Sequence, residues 1–306
     1  MYQIYFPATD QTAGPALLLG SVFAGLLGLA FGSFLNVCLS RLPEGESIAW
    51  PGSHCRSCSH VLSWWENLPL VSWVLLRGRC RECRARIGIR YPLVESGVGL
   101  LWAGCWARFG AGFLPEAEGR EFALGLISLI GFALFTWMLV GLAALDAEHF
   151  WLPDWVTLTG IGLGIVFTLL RFRPGVRVDE PLTLLQSAYW SAFGILAAAG
   201  VVLFIRLAYW LVRRKEGIGL GDAKLMAMLG AWLGLRGAME SFAIAILGAT
   251  AFAAIWMAIQ SLRGNSRQWA GVPLPLGTFL CMGGLTEVFR YGWFWEWWSR
   301  AFGLGF

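Results

Sequence analysis

Apolar positions in this chain fall in long blocks separated by short polar stretches. Residues 123–145 run 23 positions without a charge, and residues 241–262 run 22. Crossing the hydrocarbon core takes roughly 20 predominantly apolar residues, so both stretches predict membrane helices. Their length speaks against helices buried in a soluble core. Six further blocks cover residues 15–40, 91–107, 155–170, 186–211, 225–235 and 270–286. The expectation is an all-α polytopic membrane protein of about eight transmembrane helices. The block at 225–235 has only 11 residues between Lys224 and Arg236. It reads as a short span, a re-entrant segment, or a span lengthened by snorkelling ends.

Composition supports the membrane reading. The chain is 57% hydrophobic and 14% charged, against about 25% charged for an average soluble domain. Its start lacks a positively charged n-region, so no cleaved signal peptide is expected and the first block stays as a span. The loop charges set an orientation. With residues 1–14 outside, the inner loops carry 14 Lys and Arg and the outer segments carry 8. That excess places the N-terminus outside and the first long loop in the cytoplasm. Among the 18 tryptophans, those in "WLPDW" and "YGWFWEWWSR" read as interfacial anchors.

The one sizeable polar stretch, residues 41–90, contains "CRSC" and "CREC". Cys55, Cys58, Cys80 and Cys83 can form two knuckles closing a tetrahedron around Zn2+. A loop of 50 residues buries little core, so a structural metal has a physical purpose. Redox thiols or disulfides are the alternative, and a cytoplasmic location disfavours stable disulfides. His54 and His60 flank the first knuckle and read as surface residues. Cys38, Cys105 and Cys281 sit in apolar blocks and read as small buried hydrophobes. The loop's eight arginines are explained by topology and anionic headgroups of the lipid bilayer, so no nucleic-acid partner is inferred.

Asp146 and Asp222 both fall at the cytoplasmic ends of apolar blocks. An acid there is costly unless it faces protein, water or a partner. Two carboxyl groups brought together resist ionising together, and one keeps a proton. Such a pair suits acid–base hydrolysis of an amide. The plainer possibility stays open for each: Asp222 as a helix N-cap, and Asp146 as a helix end at the headgroups. Gly217, Gly219 and Gly221 permit a tight turn before Asp222. Asp154 reads as a cap or turn acid after Pro153, and Lys224 as a charge-balancing or snorkelling side chain. Glu148 and His149 read as headgroup contacts, and Glu95 as a weaker candidate for an internal role.

These residues carry a resemblance. "FGSFLNVCLSRLP", "PGSHCRSC", the stretch from Trp64 to Glu95, "LDAEHFWLPDWVTL" and "GIGLGDAKLMAMLGAWLG" stand in the order of the type IV prepilin peptidase family. The chain resembles that family over nearly its whole length. The resemblance implies a bifunctional prepilin leader peptidase and N-methyltransferase. Asp146 and Asp222 match the two catalytic aspartates, Gly219 and Gly221 the motif glycines, and Asp154 and Lys224 lie within the same motifs. The four cysteines match the metal ligands. It implies cleavage of a basic leader from type IV prepilins or type II secretion pseudopilins, after glycine and usually before phenylalanine, in the bacterial inner membrane. Methylation of the new N-terminus by S-adenosylmethionine is implied with it. In "VPLPLGTFL", threonine stands where the family commonly has proline, a change expected to touch no catalytic acid. The organisation expected is a first span (1–40), a cytoplasmic zinc-binding insert (41–90), a transmembrane aspartic peptidase domain (91–290) and a Trp-rich interfacial tail (291–306). A proton-coupled transporter using the two acids as a relay, and a pilus-assembly scaffold, are the rival classes.

Overall fold

A computed structural model of the chain describes residues 14–110, 119–170, 184–215, 217–262 and 274–301. The extreme N-terminus, Arg171, Arg173 and Arg177, Glu216, the polar loop after residue 262, Val272 and Pro273, and the last five residues of the tail lie outside these. The regular structure of the described residues is helical apart from two isolated bridges. The helices are α1 (Gly14–Arg41), α2 (Val71–Leu75), α3 (Arg90–Phe109), α4 (Arg120–His149), α5 (Asp154–Leu170), α6 (Leu184–Arg213), α7 (Leu220–Leu262), α8 (Leu276–Phe289) and α9 (Trp293–Ala301). Four of them, α1, α4, α6 and α7, are long and apolar enough to cross a membrane, and α5 and α8 are apolar but shorter. Large apolar side chains point outward on the long helices: Leu18 and Leu19 on α1, Leu196 and Phe204 on α6, Ile255 on α7. A soluble monomer rarely exposes apolar surface on this scale, and a bilayer accounts for it. The multi-pass, all-helical expectation is met; four helices pass the length criterion, against about eight expected.

The chain divides into two compact units, one over Tyr5–Gly141 and one built mainly of Leu142–Phe306. In the first, α1 packs along α3. Close approach needs small residues here. A methyl group at Gly28 would stand 2.8 Å from the Val98 carbonyl oxygen, and one at Gly32 would stand 2.7 Å from Glu95 Cα. Without water to drive helices together, such close backbone packing supplies the attraction. The indoles find partners: Trp102 donates to Ala133 O at 3.0 Å and Trp137 to Phe31 O at 3.1 Å. The polar insert between α1 and α3 has little regular structure beyond short turns, α2 and two isolated bridges.

In the second unit α7 is central, packed by α5, α6 and α8. Every residue from Leu225 to Leu233 is buried. The 11-residue block is therefore enclosed by neighbouring helices, as part of the long apolar helix α7. Gly234, at φ 72° and ψ 175°, breaks α7 between this core segment and the block at 241–262. The sequence reads two separate spans here; the structure runs them nearly end to end.

Candidate functional site

The insert places its four cysteines by two copies of one local fold. In the first copy, Cys55 N–H donates to His60 O at 2.9 Å and Ser59 N–H to Cys55 O at 2.8 Å. In the second, Cys80 N–H donates to Ala85 O at 2.8 Å and Arg84 N–H to Cys80 O at 3.1 Å. Ser59 and Arg84 take the left-handed region, at φ 58° and 60°, and each copy closes on an isolated bridge, His54 with Val61 and Arg79 with Arg86. All four sulfurs lie within 4.8 Å of one another. Cys55 and Cys83 are 3.8 Å apart, and Cys58 and Cys80 4.0 Å. A tetrahedral Zn2+ with ~2.3 Å bonds requires sulfur separations of ~3.8 Å, so the group fits.

The thiols' own electrostatics agree. For Cys55, burial raises the pKa, but the Ser57 and Cys58 backbone N–H groups and neighbouring thiols bring it down to about 6. For Cys58, a backbone bond at His60 favours the thiolate, yet burial and the other three cysteines push it up to about 12. Four thiols this close cannot all ionise side by side; a divalent cation removes that conflict. His54 and His60 supply no ligand atom to the cluster. The His60 ring instead meets Glu66 at 3.2 Å, and Glu66 also accepts the Ser63 N–H at 2.8 Å. Those bonds, led by Ser63, hold the buried Glu66 below the usual carboxylate range. Glu95, on α3, accepts the Leu70 N–H at 2.8 Å, where Leu70 is at φ 58°. Its internal role is to anchor the insert, which sequence reasoning ranked low. The three remaining cysteines are buried, as expected.

The acidic site lies wholly in the second unit. Asp146, one turn from the end of α4, is buried. Its Oδ2 accepts the Thr278 backbone N–H at 2.6 Å and sits 3.1 Å from the Thr278 hydroxyl. Thr278 is in the first turn of α8, whose N-cap, Pro275, offers no side-chain bond. The aspartate thus caps α8 from another helix, using one of its four free N–H groups. Gly277 makes room, since a methyl there would stand 2.9 Å from the Asp146 carboxyl carbon. This corrects the expectation that threonine in "VPLPLGTFL" touches no catalytic acid: it holds Asp146 directly.

Asp222 is in the first turn of α7, and its Oδ2 accepts the Gly219 N–H at 3.2 Å. Because α7 begins at Leu220, Asp222 is not the N-cap; it reaches back to the cap, as the acid of a capping box does. Asp146 and Asp222 are within electrostatic reach of each other, and both act on the buried Cys281 thiol of α8. Asp154 and Lys224, read singly from sequence, form an ion pair at 2.6 Å that ties the start of α7 to the start of α5. Glu148 and His149 are exposed. Gly219 and Gly221 avoid positive φ, so the tight-turn reading is replaced by close packing: a methyl at Gly221 would stand 3.2 Å from Leu152 Cβ.

Gly277 and Leu152 carry no signal in the sequence, and Thr278 stands out there only as a departure from proline. The glycine–threonine pair lies 131 and 132 positions beyond Asp146, and nothing local marks it. For Thr278 the available signal was its departure from the common proline.

Residues 26–109 match the bacterial peptidase A24 N-terminal domain, and residues 133–255 match the type IV leader peptidase family. A prepilin leader peptidase/N-methyltransferase of Myxococcus xanthus is 40% identical over 243 residues, covering 78% of this chain and 61% of that protein. Proteins of the same name from Burkholderia pseudomallei and Pseudomonas aeruginosa are 35% and 33% identical. Those alignments cover 87% and 85% of this chain, and 84% and 86% of the relatives. No solved structure matches the chain. With its two matching segments and relatives aligned over most of their length, this chain belongs to the type IV leader peptidase family, a family of enzymes.

Proposed function

We propose that this chain is a membrane-embedded aspartic endopeptidase that removes the basic leader of type IV prepilins and pseudopilins, cutting after glycine at the cytoplasmic membrane face. The observation that carries this is that Asp146 and Asp222 lie within electrostatic reach of each other. They come from different helices, at helix termini rather than mid-membrane, and interact electrostatically in a partly buried setting. The ionised carboxylate takes a proton from water as its oxygen attacks the scissile carbonyl carbon. The protonated carboxyl gives its proton to the carbonyl oxygen. Collapse of the tetrahedral intermediate breaks the C–N bond, and the departing amine takes up a proton. The substrate's apolar helix lies in the bilayer and presents its leader junction to the pair.

The relatives carry the name of a second activity, N-methyltransferase, and we include methylation of the new N-terminus in the proposal. S-adenosylmethionine would supply the methyl group; no residue is assigned to it and no step is derived through it. Cys55, Cys58, Cys80 and Cys83 would hold Zn2+, whose part is to fix the insert's fold. The insert faces the cytoplasm and the N-terminus the periplasm, on the balance of basic residues. The test exchanges Asp146→Asn and Asp222→Asn separately and incubates each purified protein with a prepilin. Each change should abolish cleavage while circular dichroism and elution volume stay as in the parent. Near-normal cleavage by either folded variant overturns the assignment of the pair.

A further inference from the structure

We infer that Thr278 is a positioning residue that makes Asp146 the water-activating carboxylate and directs the incoming proton to its Oδ1. The inference rests on the aspartic-peptidase reading and concerns how the two acids divide the work. The two carboxyls are held unequally. Asp146 Oδ2 receives the Thr278 N–H at 2.6 Å and can receive the Thr278 hydroxyl at 3.1 Å. Asp222 Oδ2 receives the Gly219 N–H at 3.2 Å. Donors to a carboxylate favour its ionised form; each acid also lies at a helix N-terminus, Asp146 at that of α8 and Asp222 at that of α7, so the donors and not the helix ends tell them apart. The better-held acid carries the negative charge before reaction, which leaves Asp222 as the proton donor to the carbonyl oxygen.

The hydroxyl has a single proton and two acceptors in reach. Thr278 Oγ1 lies 3.1 Å from Asp146 Oδ2 and 3.0 Å from Ala143 O. While Asp146 is ionised, the hydroxyl proton points to Oδ2. Once a proton from water has bonded to Asp146, the hydroxyl rotates and donates to Ala143 O, so neither state leaves a donor unpaired. Oδ2 keeps the backbone N–H throughout, so the new O–H bond forms at Oδ1. The titratable groups facing Asp146 are Asp222 from α7 and the Cys281 thiol from α8. The Lys224 charge is engaged by Asp154 of α5, and Glu148 and His149 of α4 are exposed. None supplies a competing donor among the bonds found at Asp146 Oδ2.

The experiment measures kcat and KM for prepilin cleavage across pH with Thr278→Val and Thr278→Ser. Valine keeps the N–H and loses the hydroxyl. Losing one bond to a charged group should lower kcat about tenfold or more, with KM within about twofold. The acidic limb of the kcat profile should move to higher pH by about one unit, because a carboxylate with one donor fewer ionises later. Serine should restore both readings. Parental kcat and pH profile in folded Thr278→Val overturn the inference. So does a serine variant as impaired as valine, which assigns the effect to packing; Thr278→Ala serves if valine does not fold. Failure of the aspartic reading itself would show separately, as cleavage surviving in Asp146→Asn.

Discussion

The cysteine cluster and the acidic site are built by opposite means. All four thiols come from 29 consecutive residues, shaped by two copies of one turn whose bonds span five positions or fewer. The acidic site gathers the end of α4, the first turn of α7 and the first turn of α8, with Asp146 bonded to a residue 132 positions away. The first is shaped by local turns into a set of thiols that fit a metal ion. The second depends on helix packing in which single methyl groups matter. A local site fails when its cation is removed; a dispersed site fails when any one helix shifts.

The largest expected effect separates them on that ground. Structural Zn2+ in small domains contributes about 10–16 kcal/mol of apparent binding energy. Chelation, or Cys80→Ser, should therefore unfold the insert, read as rapid protease nicking between residues 45 and 88, while the helices keep their circular dichroism. An insert that resists protease after verified metal loss would break the comparison. Next comes Gly277→Val. Its Cβ would stand 2.9 Å from the Asp146 carboxyl carbon, so α4 and α8 must separate. Cleavage should fall by about 100-fold, a scale set by 1 Å misplacement of a catalytic group, with bound zinc unchanged. A third change, Glu95→Ala, leaves the Leu70 N–H without its partner. It should destabilise the insert by about 1–3 kcal/mol, measured as a lower midpoint for protease resistance. The smallest is Lys224→Met. Its pair with Asp154 is largely exposed, so thermal stability should change by about 1 kcal/mol or less. A larger loss would mean the start of α5 does more to hold Asp222 than the geometry indicates.

Legibility follows the same division. The "CRSC" and "CREC" spacing reports the cysteine cluster because its geometry is local. The charge-free blocks at 123–145 and 241–262 report α4 and α7 because burial in lipid demands length and apolarity. The block at 225–235 is ambiguous in length alone, and its enclosure by α5, α6 and α8 comes from tertiary packing that composition does not report. Asp146 and Asp222 were visible as acids at membrane edges, but the resemblance, more than spacing, paired them. Thr278 was read as harmless because a threonine's importance lies in which carboxylate its N–H meets, and the partner is chosen by tertiary packing. Gly219 and Gly221 were visible but read for turn freedom, when at Gly221 the absence of a side chain admits Leu152.

The most direct test is mass spectrometry of a prepilin co-expressed with the parent chain or with Asp146→Asn or Asp222→Asn. With the parent, the expected product has lost its leader after glycine and carries one added methyl on the new N-terminus. With either variant, the expected spectrum shows only the uncleaved precursor. A cleaved product from either folded variant would contradict the paired-aspartate account.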